Sequence, residues 1–184
     1  MLERKNKTLI VFLTIIMSIS GFLISGCSQD ETGDPNKVVI QKVLEHQFTG
    51  PDKEFMDLLW NPKYKIVENG AERNSELDKY IEEVYGEYFT ESQLDFFMRA
   101  FGTTYQSFAD SNGYTLHFKE ASIEQDEQVS NRYTFVAKVG YQKNGDEEKI
   151  INVEGLVLFS TKEEGEIGKF QYGNDNGFSD ILRQ

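Results

Sequence analysis

The chain has 184 residues and a formal net charge of −12, with 31 acidic against 19 basic side chains. Because binding to nucleic-acid phosphates needs clustered Lys and Arg, this balance excludes a nucleic-acid partner. The single cysteine, Cys27, excludes intrachain disulfides, and no other residue can supply a cysteine nucleophile or a thiolate ligand for zinc.

The first 26 residues have the three-part layout of a secretory signal. Three basic side chains lie within the first seven residues, and a mostly apolar run follows from Leu9 to Ile24. The run ends in Ile24-Ser25-Gly26-Cys27, where two small residues precede the cysteine. An uncleaved anchor helix of about 20 residues is the alternative that hydropathy leaves open.

The Ile24-Ser25-Gly26-Cys27 segment resembles the lipobox of bacterial lipoproteins. The resemblance implies that the Cys27 thiol receives a diacylglyceryl group, and that cleavage between Gly26 and Cys27 makes the cysteine the mature N-terminus. It also implies a location at the outer face of a cell membrane. Residues 1–26 carry three basic and one acidic side chain, so their removal makes the net charge −14. The lipid, and not charge, is therefore expected to hold the protein to the membrane.

Residues 27–36 are polar and turn-prone, and we interpret them as a tether. Residues 37–184 are expected to form one domain, whose first half has helical periodicity. Asp34-Pro35 predicts a helix start, and the apolar stripe that follows contains one polar residue, Gln47. Thr49-Gly50-Pro51 ends this helix, and a second, short helix is predicted before Asn61-Pro62.

Two further helices are predicted before residue 113. Ser75 is expected to cap the third helix, and Thr90 with Gln93 is expected to form a capping box at the start of the fourth. The apolar stripe of the fourth helix continues to Phe108 and ends at the loop before Gly113. Residues 63–70 are predicted to be a short strand or an ordered loop.

From Tyr114 onwards the apolar spacing changes from that of a helix to that of a strand. About four antiparallel strands are predicted, with Asn144-Gly145 as a hairpin turn and Ile167–Tyr172 as the last strand. Helices followed by strands predict the α+β class, with N-terminal helices packed on one face of a curved antiparallel sheet.

The order of elements from Asn36 to Tyr172 is similar to that of the cone-shaped nuclear transport factor 2-like and cystatin-like folds. The resemblance implies a pocket between sheet and helices, which different family members use for catalysis, ligand binding or dimerisation. An unrelated helix-on-sheet domain, or a core simply filled by aromatic side chains, is the alternative. The candidate pocket-lining residues are Phe97, Phe101, Tyr105, Tyr133, Phe135 and Tyr141.

No set of residues in the sequence identifies a reaction. His46 and His117 are expected at surface or boundary positions, and neither lies in a two-histidine metal motif. The segments DSNG and NDNG resemble part of a calcium loop but lack its first carboxylate and its bidentate Glu. The sequence thus indicates no catalytic residue, cofactor or metal.

The expected function is that of a non-enzymatic lipoprotein whose domain binds a small apolar ligand or a partner. The partner would be another envelope protein or a second copy of this chain. The alternative is an enzyme that uses the aromatic pocket for acid-base chemistry.

Overall fold

Helices occupy most of the first half of the domain, and strands occupy most of the second. The computed structural model describes residues 33–184, so the predicted signal segment and Cys27 lie outside the described residues. The helices are α1 (Pro35–Phe48), α2 (Lys53–Trp60), α3 (Ser75–Tyr85), α4 (Glu91–Phe97), α5 (Thr104–Asn112) and α6 (Phe178–Leu182). The strands are β1 (Ile66–Glu68), β2 (Ala71–Arg73), β3 (Tyr114–Gln125), β4 (Arg132–Lys143), β5 (Lys149–Phe159) and β6 (Ile167–Tyr172).

The predicted start of α1 is confirmed. The carboxylate of Asp34 accepts a hydrogen bond from the backbone N–H of Asn36 at 3.0 Å, and Pro35 is the first helical residue. Residues 35 and 36, which we interpret as tether, thus form the first turn of α1.

The predicted cap of α3 is wrong by one residue. Asn74, and not Ser75, is the N-cap, and its side-chain oxygen accepts from the N–H of Leu77 at 3.0 Å. The amide nitrogen of Asn74 also donates to the backbone carbonyl of Leu58 at 2.7 Å. The tertiary bond to α2 therefore decides which of two good capping residues begins the helix.

The capping box predicted for α4 is also wrong. Thr90 is the N-cap residue, but its side chain makes no capping hydrogen bond. A capping box needs the N-cap backbone N–H to be free for the side chain of Gln93. In this protein that N–H donates to the carbonyl of Ile167 in β6 at 3.2 Å, so pairing with the sheet replaces the box.

The single helix predicted after Thr90 is divided in two. A π-helical turn, Met98–Gly102, separates α4 from α5. Such turns release backbone carbonyls from the regular helical pattern, and the carbonyl of Gly102 accepts a hydrogen bond from the side chain of Gln47 at 3.1 Å.

Four strands form one antiparallel sheet in the order β3-β4-β5-β6, which confirms the predicted α+β class. Asn144 and Gly145 have positive φ angles of 42° and 87°, as a tight hairpin turn requires. The sheet is open, with β3 and β6 at its edges. A cone-like curvature stays a prediction.

One face of the sheet carries the core. In β4 the side chains of Tyr133, Phe135 and Ala137 are buried, whereas the alternating Thr134 and Val136 are exposed. Helices α1 and α5 pack against β3, and α4 packs against β6. The apolar spacing of the sequence identifies this buried face correctly, because strand side chains alternate between faces.

Single β-bridges join one loop to each edge strand of the sheet. Gly50, in the connection between α1 and α2, forms an antiparallel bridge with Leu116 of β3. Phe89, before α4, forms a parallel bridge with Ile167 of β6. The first of these bridges fixes the connection that carries the candidate site described below.

The segment predicted as a short strand or an ordered loop forms a small hairpin. Strand β1 pairs with β2 through a turn at Asn69-Gly70, and the side chains of both strands are exposed. Within residues 33–184, no helix has both the length and the apolar character needed to cross a membrane.

Candidate functional site

The six aromatic residues predicted to line a pocket lie in or against the hydrophobic core. Four are buried, and Phe101 and Tyr141 are partly buried. The rings of Phe97 and Phe101 lie 6.5 Å apart, and Phe135 lies 6.1 Å from Tyr172. The three cavities described below are lined by other side chains, so a pocket formed by these six residues stays a prediction.

A cavity of about 320 Å³ lies where α1, α2 and α3 meet. It is smaller than two other cavities of about 510 and 520 Å³, but it gathers ionisable and aromatic groups from several elements. For this reason we take it as the candidate site. Its polar and aromatic wall is formed by His46 of α1, Asp52 before α2, Phe55 of α2, and Tyr80 and Tyr85 of α3.

Asp52 is placed in the wall by its role at the start of α2. One carboxylate oxygen accepts from the backbone N–H of Phe55 at 3.0 Å, which is the capping bond of that helix. The other oxygen accepts from the hydroxyl of Tyr80 at 3.0 Å. Burial and this hydrogen bond raise the pKa of Tyr80, so its hydroxyl remains a donor throughout the neutral range.

His46 lies in the last turn of α1, half-buried at the boundary position that the sequence predicts. Its ring centroid is 5.6 Å from that of Tyr85, in an edge arrangement. Burial lowers the pKa of His46, and the nearby carboxylates of Glu45 and Asp52 oppose this effect. The imidazole is therefore largely uncharged at neutral pH.

Gln106 of α5 forms hydrogen bonds at both ends of the connection between α1 and α2. Its side-chain oxygen accepts from the backbone N–H of Asp52 at 2.8 Å, and its nitrogen donates to the carbonyl of His46 at 2.6 Å. Gly50 allows the side chain of Gln106 to come this close to the connection. Its own φ angle is +152°, and a Cβ atom on it would lie only 2.7 Å from the backbone nitrogen of Asp52. The buried side chain of Gln106 thus fixes the backbone of His46 and of Asp52, two residues that line the cavity.

A second buried glutamine, Gln47, fixes Tyr85. Its side-chain nitrogen donates to the hydroxyl of Tyr85 at 2.9 Å, and its oxygen accepts from the hydroxyl of Tyr172 at 3.4 Å. Gln47 is 1 % exposed. Because a buried amide without partners would be costly, this residue ties the cavity wall to the core with a defined geometry.

The other histidine lies away from this cavity. The Nδ1 atom of His117 is 2.6 Å from a carboxylate oxygen of Glu148, which also pairs with Lys119 at 2.8 Å. Lys119 and then His117 lower the pKa of Glu148. All three side chains are about one-third exposed or more, and the cluster joins β3 to the residue that precedes β5. Among residues 33–184, no group of three or more potential metal ligands is present.

Among the residues that form or support the site, Gln47 is the one that stands out in the sequence. Gln47 interrupts an apolar stripe, which predicts a buried polar contact at that position. The separations between Asp52, Tyr80 and Gln106 follow no motif, because these residues meet only through helix packing.

No protein-family model, curated protein or solved structure matches this chain significantly. The resemblances to the lipobox and to the cone-shaped folds therefore stay predictions. The feature of the described residues that bears on function is therefore the cavity itself.

Proposed function

We propose that this chain is a membrane-anchored extracytoplasmic lipoprotein whose domain binds a small ligand in the cavity between α1, α2 and α3. The anchor is supported by the sequence Ile24-Ser25-Gly26-Cys27 and the apolar run before it. The ligand site is supported by one observation above all, the cavity of about 320 Å³ with a carboxylate, an imidazole and aromatic rings in its wall. This volume is at the lower end of the range of about 300–1,000 Å³ for small-molecule sites.

The wall is held in place before any ligand arrives. Asp52 is fixed by the cap of α2, its backbone is fixed by Gln106, and Tyr85 is fixed by Gln47. A preorganised site loses little conformational entropy on binding, which favours affinity for a small molecule. The observation therefore favours a small ligand over a protein partner.

Acid-base catalysis in the same cavity is the second candidate function. Its specific support is His46, whose lowered pKa leaves an uncharged imidazole near neutral pH in a cavity that also contains Asp52. Such a ring can accept a proton from a bound molecule. Mass spectrometry of each ligand after incubation with the protein distinguishes the two functions, since a binder returns it unchanged.

A ligand-observed NMR screen of a mixed small-molecule library tests the proposal. The matched pair of variants lies on α3: Val84 lines the cavity, whereas its neighbour Glu83 is exposed. We expect Val84→Trp to fill the cavity and abolish the saturation-transfer signal of the ligands, and Glu83→Trp to leave it unchanged. Signals that survive Val84→Trp in a folded protein would contradict the proposed site.

A further inference from the structure

The charge of Asp52 has no cationic partner within the described residues. Asp52 is absent from the ion pairs of residues 33–184, although its two oxygens accept neutral hydrogen bonds from Phe55 and Tyr80. Lys42 also borders the cavity, but its ammonium group pairs with Glu45 at 3.0 Å. Among the ionised side chains that border the cavity, the carboxylate of Asp52 is therefore the one that no cationic side chain of the described residues pairs with.

Aromatic rings lie beside this charge. Phe55 and Tyr80 are stacked, with centroids 5.4 Å apart and planes at 13°, and Tyr85 contributes a third ring. Within residues 33–184, the cation–π contacts of the protein involve the rings of Tyr64, Tyr114 and Phe108. The rings around the cavity thus have no cation of their own from the described chain.

The imidazole of His46 does not oppose a cation at neutral pH. Burial, the largest cause, lowers its pKa, as does Lys42, while Glu45, Asp52 and Glu87 raise it. Three of the four charged groups that act on this ring are therefore acidic. An anion in the cavity would be repelled by Asp52, and no unpaired cationic side chain of the described wall would attract it.

We propose that the ligand of this cavity is a small organic cation, whose ammonium group binds beside Asp52 and the ring of Tyr80, which stacks on the buried ring of Phe55. The inference rests on the proposed function and names the chemical class of the ligand. A carboxylate combined with aromatic rings is a favourable environment for alkylammonium groups, because the rings attract the cation electrostatically and tolerate its methyl groups. The negative charge of the whole chain also favours the approach of a cation.

Isothermal titration calorimetry of the full chain in dodecyl maltoside tests the class of ligand. The cationic probes are choline, ethanolamine and putrescine, each titrated to about 10 mM, a range that detects even weak binding. The controls are 3,3-dimethylbutan-1-ol, which has the shape of choline without its charge, and benzoate. We expect at least one cation to bind at least about tenfold more tightly than either control.

Two asparagine variants on one helix separate the charge from the fold. Asp52→Asn removes the charge but keeps a good capping residue for α2, and we expect it to weaken binding of the cation about tenfold. Asp57→Asn removes an exposed carboxylate of α2 that pairs with Lys63, and we expect no change. Tyr80→Leu removes the ring beside Asp52, and we expect it to abolish binding of the cation.

The outcomes separate the two proposals. If the neutral isostere or benzoate binds as tightly as the cations, or if Asp52→Asn has no effect, the inferred ligand class is wrong while the cavity remains a ligand site. If no cation binds, but the NMR screen finds other ligands whose binding is abolished by Val84→Trp, the inferred ligand class is again wrong. If neither experiment finds a ligand in the cavity, both proposals fail.

Discussion

Gln106 joins two backbone groups on either side of the helix connection that carries Asp52. Its amide satisfies the N–H of Asp52 and the carbonyl of His46, and the side chain is 4 % exposed. Gln106→Met would leave both part-buried groups without these partners, and a fully buried group in that state costs about 1–3 kcal/mol. We expect a loss of about 2–4 kcal/mol in the free energy of unfolding, measured by urea denaturation.

The control for this variant is Gln41→Met, which changes an exposed glutamine of α1 in the same way. We expect a change within about 0.5 kcal/mol there. Equal effects of the two substitutions would mean that the hydrogen bonds of Gln106 do not stabilise the connection.

His46 gives the site a dependence on pH. Its pKa in the folded protein is below the ordinary value of 6.5, chiefly because of burial, so the unfolded chain takes up the proton first on acidification. The stability that depends on neutral His46 is thus present above pH 6.5 and is lost as the pH falls through the folded-state pKa. We expect His46→Gln to flatten the decline in unfolding free energy as the pH falls below about 6.5.

Carboxylates with lowered pKa values act at lower pH and do not obscure this effect. Asp57, Asp126 and Asp175 have ordinary values of 3.8 and Glu148 of 4.5, and each is lowered in the fold. Their stabilisation is lost only below those values. Parallel curves for the wild type and His46→Gln from pH 7 to 5 would show that His46 has an unshifted pKa.

Helix α6 contributes two buried side chains to the hydrophobic core. It is only five residues long, yet Phe178 and Leu182 are fully buried. The ring of Phe178 is stacked on Tyr105 at 5.4 Å and lies 5.5 Å from Tyr141. This short helix therefore stabilises the domain through its side chains and not through its own hydrogen bonds.

Phe178→Ala is expected to lower the free energy of unfolding by about 3–5 kcal/mol, because it opens a cavity among packed rings. Thermal unfolding followed by circular dichroism measures the loss. The matched control is Phe96→Ala on α4, since Phe96 is 55 % exposed and should cost less than about 1 kcal/mol. A similar loss for both would contradict the assigned role of α6.

Much of the element order follows from local patterns, and the exceptions have tertiary causes. Asp34 and Asn144-Gly145 act through their own neighbours, so the helix start and the hairpin are predictable from the sequence. The Thr90 cap fails because its N–H pairs with β6, which no local pattern encodes. Helix α6 is too short for a periodic signal.

The candidate site is less predictable than the fold for the same reason. Asp52 caps α2 and Tyr80 packs against the core from α3, whereas Gln106 of α5 makes long-range hydrogen bonds that no local pattern encodes. Their proximity depends on how α1, α2, α3 and α5 pack. Aromatic spacing in the sequence predicts instead a pocket among side chains that lie in or against the core.

At the scale of the whole molecule, the proposal is a folded domain held at a membrane by lipid on Cys27. Expressed in bacteria, the chain should be recovered in the membrane fraction, and its N-terminal peptide should begin at Cys27 and carry the mass of a diacylglyceryl group. Two acyl chains suffice for stable anchoring, at about 0.8 kcal/mol per buried methylene. Cys27→Ala should abolish the modification, and Ser28→Ala should retain it.

Recovery of an N-terminal peptide that still contains residues 1–26, without lipid, would contradict this anchor and favour the uncleaved helix. The result would leave the domain and its cavity unaffected, because both are formed by residues 34–184. Anchor and binding site are therefore separately testable parts of the proposed function.

The most direct measurement is the location of the bound ligand. We would record intermolecular NOEs between the tightest ligand of the NMR screen and the aromatic protons of the full chain. The proposed site predicts NOEs to Phe55, Tyr80 and Tyr85, which line the cavity. NOEs instead to Phe97 and Phe135 in the core, with none to Tyr80, would place the ligand in the aromatic pocket and contradict the site proposed between α1, α2 and α3.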